Sequence, residues 1–212
     1  MLRSRLLAGR HGLVHGFTTR VLSDDWEAIG AATGVPAIAR AAQVHGAEVL
    51  EADEGGPLGE GDAILVTRPG VLAAVRVADC VPVLLAAPGG VCAVHAGWRG
   101  TVAGIVPGAV RRLCEATGCR AEQVLAAIGP CIAQRSYEVG EEVLAAVRNI
   151  TDAPVIAGRH VDLKATNAAL LAAAGVVHID VLPQDTFTDP RLHSYRRDGA
   201  AAGRQVGVIG WV

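Results

Sequence analysis

The chain has 212 residues, with 19 basic and 21 acidic side chains, a formal charge of −2 and 51% apolar residues. That length suits one large domain spanning 1–212 and buries a core without disulfide staples. The near-neutral balance offers nucleic acid no basic field and leaves no acidic tail. Aromatic residues make up only 3%, so the core is expected to be aliphatic, and Lys164 is the only lysine.

The N-terminal residues Met1-Leu2-Arg3-Ser4-Arg5-Leu6-Leu7 lack the apolar run of a signal peptide. The five cysteines are odd in number, irregularly spaced and form no C-x-x-C. Reduced thiols in a soluble, cytoplasmic protein are therefore expected. In chain order, Val-rich runs predict strands over 72–77, 81–86 and 91–95. Residues 80–98 carry no formal charge and are long enough to suggest a membrane span. Pro82 and the turn Pro88-Gly89-Gly90 divide them into two strands instead, so no membrane partner is expected.

A helix is predicted over 101–117, with Val102, Ile105, Val106, Ala109, Val110 and Leu113 on one face. Pro107 predicts a kink or a delayed start there. A strand over 124–129, helices over 141–148 and 165–174, and strands over 176–182 and 205–209 complete the pattern. Helices and strands mix without strict alternation. The expected class is α+β or irregular α/β, not a doubly wound sheet.

No P-loop, G-x-G-x-x-G, G-x-S-x-G or H-E-x-x-H occurs. Three dense clusters remain: Gln43-Val44-His45-Gly46, Ala78-Asp79-Cys80-Val81-Pro82 and Val94-His95-Ala96-Gly97-Trp98-Arg99-Gly100. Each sets a His or Cys at the end of an apolar, strand-like run. Two imidazoles and a thiolate suit zinc, and three protein ligands leave a fourth position open, as in catalytic sites. Water held there has its pKa lowered to roughly 7.

Plainer uses exist for each residue. Cys80 fits an inert core thiol, His95 a hydrogen-bonded strand end, and Gly97 and Gly100 a tight turn. Arg99, read as preceding a helix N-terminus, is a candidate anion contact. Asp79, beside Cys80, is a candidate for orienting a ligand or shuttling protons, or else a surface turn. His11 and His15 have the spacing of a helical metal pair, but Gly12 and Gly16 argue against a helix. Cys92 and Cys114 read as core, Cys119 as a turn residue, and Cys131 is left open.

The clusters resemble the YfiH family, also described as laccase-domain or polyphenol oxidase proteins. Matching blocks run in order along nearly the whole chain. They include His15-Gly16-Phe17-Thr18-Thr19-Arg20, the three clusters above, and Ile128-Gly129-Pro130-Cys131-Ile132. Further along come Tyr137-Glu138-Val139-Gly140, Val161-Asp162-Leu163 with Asn167, and Ser194-Tyr195-Arg196-Arg197-Asp198-Gly199.

The resemblance implies a sandwich of mixed β-sheets flanked by helices and a zinc ion on His45, Cys80 and His95. It implies phosphorolysis of adenosine, inosine and methylthioadenosine, and deamination of adenosine. The implied partners are then a purine nucleoside and phosphate, in a monomer or homodimer. By similarity Cys131 lies near the metal, and Cys131, Asp79 and Arg99 are the catalytic candidates. Gln43, Arg20, Arg99 and Arg196 line the substrate or phosphate pocket.

Two departures stand out. The loop that usually follows the Thr-Arg motif is shortened to Val21-Leu22-Ser23-Asp24-Asp25-Trp26, and Gln184-Asp185-Thr186 replaces a usual Cys-Thr pair. Two alternatives carry other chemistry. Copper-dependent polyphenol oxidation would need more imidazoles than seven His supply, and an axial ligand other than Met1, the only methionine. A zinc amidohydrolase acting on cell-wall precursors needs only the same three ligands.

Overall fold

A computed structural model describes residues 1–212. The chain opens with α1 (Arg5–Ala8), β1 (Leu13–Phe17), α2 (Trp26–Thr33), β2 (Ile38–Ala42), β3 (Val49–Glu51) and β4 (Gly56–Glu60). The central segment holds β5 (Ala63–Val66), β6 (Leu72–Val77), β7 (Val81–Ala87), β8 (Gly90–Ala96), α3 (Trp98–Val102) and α4 (Ile105–Thr117). Next come β9 (Leu125–Ile128), α5 (Glu141–Arg148), β10 (Ile156–Ala157), β11 (His160–Val161) and α6 (Leu163–Ala173). The chain closes with β12 (His178–Val181), α7 (Tyr195–Asp198) and β13 (Gln205–Trp211).

The strands form two mixed sheets, ordered β1-β13-β6-β2-β4 and β12-β9-β7-β8-β5-β3, beside a small β10-β11 ladder. Alternation along the strands sorts their side chains into layers. Ile64, Leu84, Ala93 and Ala127 of the six-stranded sheet meet Ala39, Ala73, Val75 and Ile209 of the other. The opposite face of the six-stranded sheet, with Leu65, Val83, Leu85 and Val94, packs under the apolar stripes of α4, α5 and α6. Ile29 of α2 covers Ile38, Leu72 and Val206 on the far side of the five-stranded sheet. The result is the sandwich of mixed sheets flanked by helices that the resemblance implied. No helix is long and apolar enough to cross a membrane.

The uncharged 80–98 stretch is an antiparallel hairpin of β7 and β8, turned at Gly89 with φ 86°. The helix predicted over 101–117 is broken at Gly104, whose φ of 84° ends α3 and restarts the chain as α4. Pro107 then falls in the first turn of α4, where its missing N–H costs no helical bond. The segments 13–17, 38–42, 49–51 and 56–60 also pair as strands, although their short or Gly-interrupted patterns predicted none. His15 lies on β1 and is buried, accepting the Ser4 N–H at Nε2 over 3.1 Å, so it forms no helical pair with His11. All five cysteines are free, and the half-buried Cys114 and Cys119 thiols approach to 3.6 Å.

Candidate metal centre and substrate cavity

The β7–β8 register pairs Val81 with Ala96 and Pro82 with His95. Cys80, one residue before β7, thereby comes beside the chain that leaves β8 at Gly97. His45 reaches the same point from the loop after β2. Donor atoms of His45, Cys80 and His95 all lie within 4.8 Å of one another, with Cys80 Sγ 4.0 Å from His45 Nε2. A thiolate and an imidazole on tetrahedral zinc sit about 3.6 Å apart, so the Cys80–His45 pair is already close to ligating separation. The two rings meet edge to face at 4.8 Å between centroids. A Cβ at Gly97 would stand 2.9 Å from His45 Cδ2 and 3.1 Å from Cys80 Sγ. That residue leaves the space the ligands use, and the residues present fit a three-ligand metal ion.

Asp62, which sequence reasoning missed, organises the centre. Its carboxylate is fully buried. Oδ1 accepts the His45 N–H at 3.0 Å and His95 Nδ1 at 2.7 Å. Oδ2 accepts the N–H groups of Val44 at 3.2 Å and Gly46 at 2.7 Å. His45 has φ 61°, a left-handed conformation costly for a side chain with a Cβ. The carboxylate gathers the three successive N–H groups of that turn and holds it. By taking the Nδ1–H of His95, it also leaves Nε2 with its lone pair free for a metal. Burial opposes ionisation of Asp62, but the His95 and backbone bonds outweigh it and keep its pKa below the usual range. A signal was present: a lone carboxylate opens the wholly buried strand Ala63–Val66.

Without metal, burial disfavours a Cys80 thiolate, yet the bonds from His45 and His95 outweigh it and draw the thiol pKa down. Burial likewise disfavours a charged His95, but Asp62 and Cys80 together raise its pKa. Thiolate character in an electropositive pocket is what a metal ligand needs.

The trio forms the floor of a cavity of about 680 Å³, within the roughly 300–1,000 Å³ typical of small-molecule sites. Tyr137 and Tyr195, the only two tyrosines, line its wall with Ile132. Burial pushes the Tyr137 phenol up to about 12, so it stays a hydrogen-bond donor. Asp79 also lines the cavity, at φ 87°. Its Oδ1 accepts Thr186 Oγ1 at 2.6 Å and its Oδ2 accepts the Arg196 N–H at 2.6 Å. Thr186 belongs to the segment that departs from the family pattern, and its neighbour Asp185 is a buried acceptor for Ala133 N–H and Ser136 Oγ.

The remaining sequence candidates fall in different places. Gln43 lines the cavity, but both ends of its amide pair with the Arg76 backbone at 2.8 Å, extending the β6 ladder. Arg196 lines it with its guanidinium over the Tyr137 ring and one N–H on Glu138 O. Arg99 sits inside α3 rather than before it, stacked on the Trp98 ring at 4.3 Å and not among the cavity residues. Arg20 is also outside the lining, bound to Asp198 at 2.7 Å and Leu192 O at 3.0 Å. Cys131 is fully buried in the core beside Ile132, and burial raises its thiol pKa. Arg76 and Arg204, which no motif singled out, line the cavity.

Residues 9–212 match the family described as multi-copper polyphenol oxidoreductase laccase. The chain belongs to that family. It is 41% identical over 199 residues to a purine nucleoside phosphorylase of Deinococcus radiodurans, covering 90% of this chain and 78% of that protein. It is 38% identical over 169 residues to adenosine deaminase RL5 of an unknown prokaryotic organism, covering 73% and 64%. Among solved structures, YlmD from Geobacillus stearothermophilus superposes with a TM-score of 0.88 at 26% identity, covering 100% of this chain and 97% of that one. The Bacillus licheniformis hypothetical protein YfiH has the same fold, with a TM-score of 0.87 at 24% identity over 94% and 93% of the two chains.

Proposed function

We propose that this chain is a zinc-dependent purine nucleoside enzyme that phosphorolyses adenosine, inosine and methylthioadenosine and deaminates adenosine. One observation carries the reading: two imidazoles and a thiolate converge on the floor of an open cavity sized for a small molecule. The names of the relatives supply the substrate class. Zinc in a three-ligand site supplies Lewis acidity and activates water at neutral pH.

The chain's own residues do the rest. Asp62 fixes His45 and His95 in ligating orientation. Tyr137 and Tyr195 present ring faces and phenols to a purine. Asp79, held by Thr186 and the Arg196 backbone, is the wall carboxylate that exchanges protons with the base. Arg196, on the cavity wall, offers the guanidinium N–H groups not used on Glu138 O to an anionic or hydroxyl-rich end of the ligand. Cys131 lies buried with its thiol on the Ile132 carbonyl, and Arg20 holds the segment carrying Tyr195 and Arg196 through Asp198.

The family description names copper oxidation. The cavity floor gathers one three-donor cluster, and Met1 packs against Gly16 on β1, away from it. A blue-copper centre would therefore need another axial ligand.

The deciding experiment measures zinc and copper in protein purified without added metal. It then incubates the protein with adenosine, with and without phosphate, using Cys80→Ala as control. Stoichiometric zinc is expected, with adenine formed only in the presence of phosphate, inosine formed in either case, and both lost in the variant. Zinc without nucleoside turnover would overturn the substrate assignment and direct the search to amides. Copper with phenol oxidation would overturn the metal assignment too.

A further inference from the structure

Three guanidinium groups, those of Arg76, Arg196 and Arg204, line the cavity against two carboxylates, Asp24 and Asp79. Neither carboxylate is closely engaged with a guanidinium there. Both Asp79 oxygens are taken by Thr186 Oγ1 and the Arg196 backbone N–H. Asp24 stands 3.8 Å from Arg76, with both side chains well exposed, a distance and setting of little consequence. The cation of Arg196 is engaged by a ring face and a backbone carbonyl. Arg204 donates from one nitrogen, Nη1, to the carbonyls of Ala202 and Gly203 at 2.7 and 2.9 Å. Elsewhere on the molecule, guanidinium groups such as those of Arg20, Arg191 and Arg197 sit 2.7–2.8 Å from a carboxylate.

The sheet register explains why two of these charges are neighbours. Val206 pairs with Arg76 and Gln205 with Val77 across the β13–β6 ladder. Arg204 precedes that pairing by one residue, so Arg76 and Arg204 are diagonal neighbours on one face, within reach of each other's long side chains. Like charges placed so repel unless an anion lies between them. The cavity lining thus carries more guanidinium groups than carboxylates in a chain that is net negative as a whole.

We infer that Arg204 and Arg76, with Arg196, form an anion subsite on the cavity wall that takes a dianionic phosphoryl group. That group is either free orthophosphate or the phosphate of a nucleotide. The choice of a phosphoryl group over other dianions rests on the nucleoside reading above; the clamp itself rests on the arginines. Planar guanidinium forks match phosphate oxygens in pairs, and hydrogen bonds of this charge-assisted kind are the strong ones.

The test is calorimetric titration of the metal-loaded protein at low salt with inorganic phosphate, adenosine 5′-monophosphate and adenosine. Wild type is compared with Arg204→Gln and Arg76→Gln, each checked for a wild-type melting curve. Arg204→Gln is expected to weaken phosphate or nucleotide binding about tenfold or more, equivalent to about 1.4 kcal/mol. Adenosine binding should change less than about twofold, because the phosphoryl bonds alone are lost. Free phosphate as the ligand predicts that phosphate and adenosine bind together. The nucleotide as ligand predicts that adenosine 5′-monophosphate binds more tightly than phosphate and that adenosine alone displaces it. Unchanged phosphate and nucleotide binding in both variants, or no binding of either by wild type, would overturn the subsite. These are binding readouts, so a lack of nucleoside turnover would sink the proposed reaction while leaving this result readable.

Discussion

Replacing Asp62 with asparagine nearly preserves the side chain's shape while removing half its acceptor capacity. The carboxylate satisfies four donors: His45 N–H and His95 Nδ1–H on Oδ1, Val44 N–H and Gly46 N–H on Oδ2. In Asp62→Asn the amide oxygen can serve one pair, and the NH2 group then points at the other two N–H groups. Two buried donors left unpaired cost roughly 1–3 kcal/mol each, about 2–6 kcal/mol together. If the oxygen stays with His95, the left-handed turn at His45 (φ 61°) loses the bonds at Val44 and Gly46 and relaxes. His45 then moves away from Cys80 and His95. Loss of such outer partners lowers metal affinity about 10- to 100-fold, which is about 1.4–2.8 kcal/mol. Chelator competition measures that affinity, and urea unfolding of the metal-free variant measures stability separately. A cobalt(II)-loaded sample adds an absorption spectrum that reports ligand geometry. If Asp62→Asn binds metal within about twofold of wild type and unfolds at the same urea concentration, the carboxylate does not organise the centre.

Gly97→Ala places a Cβ 2.9 Å from His45 Cδ2 and 3.1 Å from Cys80 Sγ. Crowding of that kind costs about 1–3 kcal/mol, and it should appear as an affinity loss of about tenfold in chelator competition, with metal-free stability little changed. Gly129→Ala sets a Cβ 2.2 Å from Phe17 Cε1 against a fully buried ring. It should lower stability by about 1–3 kcal/mol in urea, and Phe17→Leu in the same chain should recover part of the loss. Burial lowers the pKa of His15, and its Nε2 accepts the Ser4 N–H, which only the neutral ring can do. The folded state thus disfavours the proton. The stability His15 contributes is present above its unfolded pKa of about 6.5 and is lost as pH falls through the lower folded value, at up to about 1.4 kcal/mol per pH unit. Stability measured from pH 7.5 to 5 should fall less steeply in His15→Gln, and parallel curves for the two proteins would refute this.

Local chemistry made the central hairpin and the helices α4, α5 and α6 legible in the sequence, while α1, α2 and α7 were not. Pro88-Gly89 is a turn in any context because only Gly takes φ 86° without strain, and the runs before and after it are apolar, Val-containing and uncharged. Glu141–Arg148 has acidic residues in its first turn and Arg148 in its last, which suit the helix dipole wherever it packs. The three metal-ligand candidates were legible as residue types at strand ends. The strands of residues 13–66 were mostly not. Gly56–Glu60 contains two glycines and a proline, and it is a strand because β2 offers it a parallel partner. Such pairing is non-local, and propensity carries no trace of it.

The same holds within the site. Cys80 and His95 are adjacent because of a hairpin register that local turn chemistry sets, but His45 and Asp62 arrive through pairings with β6 and β8 far along the chain. Arg76 and Arg204 lie 128 positions apart in sequence and share a face only through the β13–β6 ladder. Motif reading favoured Arg20 and Arg99, whose guanidinium groups turn instead to Asp198 and to the Trp98 ring. The sequence determined the chemistry available: two imidazoles, a thiolate and an aliphatic core with few aromatics. The tertiary structure alone decided which arginines and which carboxylate stand around that chemistry, because strand pairing between distant segments sets the side-chain neighbours.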